Sequence, residues 1–156
     1  MGEESAKRAA EEFLAARLSE ESRAYEDQQN REAAIKLGLT VWNKLAETVF
    51  AQCRDWNAVT KEQTLTCKET ALGDLRILCA GRAYQMLVHY DSRQGLVTIK
   101  NTARLEAEPD TVMSIEGYAT GDGRDARLMR NNEPVNVEIM TLGHLRLLAG
   151  LSRRVE

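Results

Sequence analysis

This chain is poor in the groups that chemistry most often uses. Its 156 residues include two histidines, three cysteines, two prolines and only 5% aromatic side chains. Neither His89 nor His144 has a Cys, His or carboxylate at a ligand spacing such as HxxxH or CxxC, so no metal site is expected. The isolated glycines of GLTVWNKL and LCAGRAY do not make a phosphate-cradling GxGxxG or GxxxxGK[ST] loop, and GxSxG is missing. TGDGRDAR (120–127) sets Asp122 and Asp125 around a glycine. It lacks the alternating acids and closing Glu of a calcium loop, and reads as a hairpin turn. No catalytic residue and no cofactor is expected.

Other absences bound the partners. The longest apolar runs are a few residues, far short of the roughly 20 that span a bilayer, so no membrane insertion is expected. The start, MGEESAKRAAEEF, is acidic from its third residue and has neither the basic opening nor the apolar middle of a signal peptide. Ala6 stands where a myristoylation motif needs Ser or Thr. Three widely spaced cysteines, Cys53, Cys67 and Cys79, fit free thiols in a reducing compartment, and the expected location is cytoplasmic. There is no basic excess. The net charge is -3, and positions 1–38 carry all of it, with nine acidic residues against six basic ones. The arginines beyond are interleaved with acids such as Glu69, Asp74 and Glu116, as on a solvated sheet face with cross-strand charge pairs. With aromatics scarce as well, nucleic acid is not an expected partner.

What the chain has is helix, then strand. Residues 3–57 hold no Pro and one Gly, and are rich in Ala, Glu, Arg, Lys, Gln and Leu, which favour helix. A long N-terminal helix is predicted, with a break allowed near Asp27–Asn30 and a weak point at Gly38. Its second half carries a seam at alternating steps of four and three: Ile35, Leu39, Trp42, Ala46, Val49, Cys53 and Trp56. Both tryptophans of the chain lie on that line. The first half carries a thinner line through Ala10, Leu14, Leu18 and Tyr25, interrupted by Glu21, Gln28 and Glu32.

From Thr64 onward the period shortens to two. Strands are predicted over 64–70, 74–80, 83–90, 96–107, 111–120, 126–130 and 134–139, and a short helix over 140–154. Loops this short give an antiparallel meander of five to seven strands, because parallel pairs need a crossover of a dozen or more residues. Tyr84, Met86, Val88 and Tyr90 alternate with Gln85, Leu87 and His89, so one face is apolar and the other polar. The tryptophan-bearing helix is the natural cover. The fold class is α+β in two layers, with an extended helical segment over 1–34 and a single α+β domain over 35–156.

A straight helix over 3–57 would run roughly 80 Å, about twice the width of a domain this size. Its first half therefore lacks neighbours in its own chain, and a helix this polar has little stability alone. Phe13, Leu14, Leu18 and Tyr25 are the large apolar side chains it can offer. The expected function is a non-enzymatic interaction protein that associates with itself, or docks another protein, through this segment. The alternative is a small-molecule binder or enzyme with a pocket between sheet and helix, near whose mouth Trp42, Tyr84 or His89 would stand.

Overall fold

A computed structural model of the protein describes residues 2–102 and 108–152. The helix-favouring stretch forms one unbroken helix, α1 (Gly2–Thr60), 59 residues or about 88 Å long. It does not break at Asp27–Asn30, where no Pro or Gly interrupts the backbone ladder. Seven strands follow: β1 (Leu65–Glu69), β2 (Leu75–Cys79), β3 (Gln85–Asp91), β4 (Leu96–Thr102), β5 (Thr111–Thr120), β6 (Gly123–Arg130) and β7 (Glu133–Pro134). They pair in chain order as one antiparallel meander. A short helix, α2 (Val137–Leu148), ends the fold. The continuation of β4 expected over 103–107 and the last residues of the expected C-terminal helix, from 153 on, lie outside the described residues.

The two-layer arrangement follows from strand parity. Leu75, Ile77, Met86, Val88, Val97 and Ile99 are inward and fully buried, while Arg76, Leu87, His89 and Lys100 point the other way. Both helices cover the inner face. α1 packs on β5 and β6 near its middle and reaches β1 near its C-terminal end, and α2 lies over β3 and β4. Trp42 is buried and stacks on Tyr90 of β3, with ring centroids 5.7 Å apart. At the far end of α1 the Asn57 side-chain amide bonds both the N–H and the carbonyl of Leu65, which pins the start of β1 to the helix.

The seam differs from expectation in its first two members. Trp42, Val49 and Cys53 are buried and Trp56 is half-buried, but Ile35 and Leu39 are 80% and 62% exposed. Ala33 and Gly38 take the inner side instead. Ile35 is eighteen residues, about five full turns, before Cys53 and so lies on the same side of the helix; the sheet therefore covers a different side of α1 near Ala33 and Gly38 than near Cys53. Close approach also selects small residues here. A Cβ on Gly117 of β5 would overlap the carbonyl of Asn30, so helix and strand touch backbone to backbone. Two further points are corrected. Tyr84 precedes β3 and is exposed rather than sitting on the covered face. The strand expected over 134–139 is a two-residue strand followed by helix. Asn131 and Asn132 both have positive φ and form a tight hairpin turn. Asn136 then caps α2, accepting from the Ile139 N–H at 3.1 Å.

Candidate functional site

The candidate interface is the first half of α1. Every described residue from Gly2 to Gln28 is exposed, and the helix first meets the body at Gln29 and Asn30. That leaves an arm of 27 residues, about 40 Å, exposed along its whole length among the described residues. The Asn30 side chain accepts a hydrogen bond from Arg124 beside the Gly117 crossing, which fixes the point of departure. Along the arm the Arg17–Glu21 pair, 3.5 Å apart, spans one helical turn at the surface.

The expected interface residues Phe13, Leu14, Leu18 and Tyr25 are all exposed, and the structure adds two that sequence reading had assigned to the core. Leu14, Leu18, Tyr25, Ile35 and Leu39 fall within an arc of about 100° on one side of the helix, at steps of four, seven, ten and four, a stripe that suits a partner helix. They are between 55% and 80% exposed. Phe13 stands off this arc. The signal that would have separated Ile35 and Leu39 from the core seam was the neighbouring Gly38, a residue suited to close packing.

The three ligand-binding candidates are not brought together. Trp42 is sealed under α1, Tyr84 is exposed just before β3, and His89 is on the outer face of the sheet. Trp42, Leu45 and Val49 are buried in the helix–sheet interface. A groove of about 450 Å³ runs along its margin, between Val41 and Lys44 of α1, Leu128 of β6 and the 135–138 connection.

His144 is fully buried and satisfied. Its Nδ1 donates to the Asn101 side-chain oxygen at 2.7 Å, and its Nε2 accepts from the Thr111 hydroxyl at 2.9 Å. Asn101 returns a bond to the His144 carbonyl at 3.0 Å. This network ties α2 to β4 and β5. Cys53 of α1 and Cys67 of β1 form a thiol pair. The Cys67 S–H hydrogen bond draws the Cys53 thiol below its ordinary range against the effect of burial. Cys67 is pushed far above that range by its bond to Cys53, by burial and by the neighbouring charge. Glu116 stands opposite Arg127 in the β5–β6 register, but that guanidinium lies 4.1 Å over the Tyr118 ring, a cation–π contact in place of the expected charge pair.

Among the described residues no group of three His, Cys, Asp or Glu side chains is placed to hold a metal, and no helix is long and apolar enough to cross a membrane. Compared with protein families, with characterised proteins and with solved structures, the chain finds no match.

Proposed function

We propose that this is a non-enzymatic self-associating protein, in which the arm of α1 packs against α1 of a second copy. The observation that carries this reading is the exposed stripe Leu14, Leu18, Tyr25, Ile35 and Leu39, three on the arm and two on the outer side of the docked helix. Weighted by exposure, covering it in both copies would gain about 10–20 kcal/mol gross. That is comparable with or above the 4–15 kcal/mol or so that association costs.

Charge favours an antiparallel pair. Residues 2–28 hold eight acidic and four basic side chains, while 29–60 hold three acidic and four basic. A parallel pair sets the acidic arms against each other. An antiparallel pair lays each acidic arm on the mildly basic docked half of its partner, and gives each arm a surface to rest on. In that register Leu14 meets Leu39, Leu18 meets Ile35 and Tyr25 meets Gln28 of the other copy.

Light scattering tests the association. The full chain, 17.5 kDa, is expected at twice its monomer mass, and Leu14→Glu with Leu18→Glu is expected to return it to monomer. A monomeric parent chain overturns the proposal, whether the arm is then unpartnered or docks another protein. Cross-linking tests the direction. A chain carrying both Leu18→Cys and Ile35→Cys is expected to give a covalent dimer on mild oxidation. Leu18→Cys alone is not, because in the antiparallel pair two such residues lie about 26 Å apart. With free thiols and no membrane-spanning helix among the described residues, a cytoplasmic setting suits this reading.

The alternative, a small-molecule site between sheet and helix, draws support from the 450 Å³ groove beside Val41 and Lys44. None of Trp42, Tyr84 and His89 lines it.

A further inference from the structure

All three cysteines of the chain come together at one end of the molecule, away from the arm. Cys67 stands opposite Ile77 in the β1–β2 register and Cys79 opposite Leu65, so both share the inner face that carries Ile77 and Leu65. Cys53 is on the buried side of α1.

Helix and strand are held in a fixed register there. The Asn57 side chain grips the backbone of Leu65, and the 61–64 turn reverses the chain between them. Cys53 is four residues back along α1 from Asn57, and Cys67 is two residues on along β1 from Leu65. These are steps of about 6 and 7 Å in the same direction. They bring the two thiols side by side. Cys67 packs on the core cluster that includes Cys53, and its S–H donates to the Cys53 sulfur. Cys79 stands apart. Relative to Cys67 it is at the diagonal position of the ladder, where side chains are about 7 Å apart. A disulfide needs Cβ atoms about 3.5–4.5 Å apart. The Cys79 thiol turns instead to the Ala80 carbonyl, at 3.8 Å.

We infer that Cys53 and Cys67 are a redox modification site, which a peroxide closes to a disulfide between α1 and β1. Cys53 attacks and Cys67 resolves. The hydrogen bond from Cys67 favours the Cys53 thiolate, the form that reacts. That thiolate attacks one oxygen of hydrogen peroxide and the O–O bond breaks. The sulfenic acid of Cys53 forms, and the departing hydroxide takes up the proton that Cys53 gave up, making water. Cys67 then attacks the oxidised sulfur, and its proton leaves with the hydroxyl as a second water. Two thiols and one peroxide give one disulfide and two waters, the sulfurs losing the two electrons that the peroxide gains. Cys67 is half-buried on an edge strand, which gives a molecule as small as peroxide a short way in. In a reducing compartment such a bond is transient and reports the oxidant. It closes the 15-residue loop 53–67 and ties β1, paired only with β2, to the core helix.

Treating the full, reduced chain with hydrogen peroxide tests this. Free thiols, counted after unfolding, are expected to fall from three to one. Trypsin puts the cysteines in three separate peptides, residues 45–54, 62–68 and 77–82, so mass spectrometry reads the link directly. The expected product joins 45–54 to 62–68, leaves 77–82 free and runs as a monomer on a denaturing gel. Its melting temperature is expected to rise by about 6–12 °C and to return with dithiothreitol. Cys79→Ala is expected to behave as the parent, and Cys67→Ala is expected to show neither link nor rise. A treated chain that keeps three thiols, links Cys79, links two chains, or carries sulfinic acid in place of the bond overturns the inference. Leu14→Glu with Leu18→Glu is expected to form the same link, so neither this result nor the helix pairing depends on the other.

Discussion

At the scale of single residues, the fold turns on a few close contacts. Gly117 is where α1 touches β5, and a methyl group there meets the Asn30 backbone, which cannot swing aside as a side-chain tip can. Gly117→Ala is expected to cost about 1–3 kcal/mol, the usual range for overpacking, read from the shift of a urea unfolding midpoint. His144 acts differently. Replacing it with leucine keeps the volume but removes the donor to the Asn101 side-chain oxygen and an acceptor for the Thr111 hydroxyl. A loss of about 1–3 kcal/mol is expected, by the same measurement. Nothing in the sequence around His144 pointed to this role, since its partners are 43 and 33 residues away along the chain. The thiol pair gives a pH dependence. The fold raises the Cys67 pKa above that of an unfolded thiol, about 8.5, so its protonated form stabilises the protein below that pH. The contribution is lost as pH rises, because the unfolded chain releases a proton that the folded one holds. The lowered pKa of Cys53 acts the opposite way. The melting-temperature gap between the parent and Cys67→Ala is expected to narrow from pH 8 to pH 10.

At the scale of elements, the period of the hydrophobic pattern decided what sequence could resolve. β5 runs over Thr111–Thr120, the bounds its alternating residues predict, because each step of two changes faces cleanly. β6 starts at Gly123, three residues before expectation, since a two-residue turn at 121–122 closes its hairpin and leaves Arg124 and Asp125 in the strand. Over 134–139 the same alternation misled. Val135, Val137 and Ile139 read as strand, yet Pro134 limits the ladder and Asn136 starts a helix. Short apolar runs fit both periods, and the cap decides between them. Asn136→Ala is accordingly expected to cost about 1 kcal/mol of stability, seen as a lower melting temperature. The long helix was legible as helix, but not which of its apolar residues face inward, because the side of α1 that the sheet covers changes along its length: Ile35 and Cys53 share a side, yet only Cys53 is buried. Of the candidate site, the arm residues could be read from the sequence, whereas Ile35 and Leu39 joined them only once Gly38 and Gly117 had brought the helix close to the sheet.

At the scale of the whole molecule, the protein is a body with an arm, and the two should differ in stability. The body holds its helix by burial, with Trp42, Leu45, Val49 and Cys53 against the sheet. The arm is exposed along its length among the described residues, and isolated helices of this composition are barely stable in water. If a second copy covers the arm, its helix is held by mass action and its stability depends on concentration. Hydrogen exchange followed by mass spectrometry separates the two parts of α1. At high protein concentration, amides across residues 2–39 are expected to be protected. Upon dilution, residues 2–28 should exchange rapidly while 42–56 keep their protection, because packing on the sheet does not depend on the partner. Leu14→Glu with Leu18→Glu is expected to show the dilute pattern at every concentration. Added salt should move the parent toward it, because the acidic arm and the mildly basic half of its partner attract less when screened. An arm that is equally protected at all concentrations would mean that its helix stands without a second copy, and the exposed stripe would then have no role in holding it.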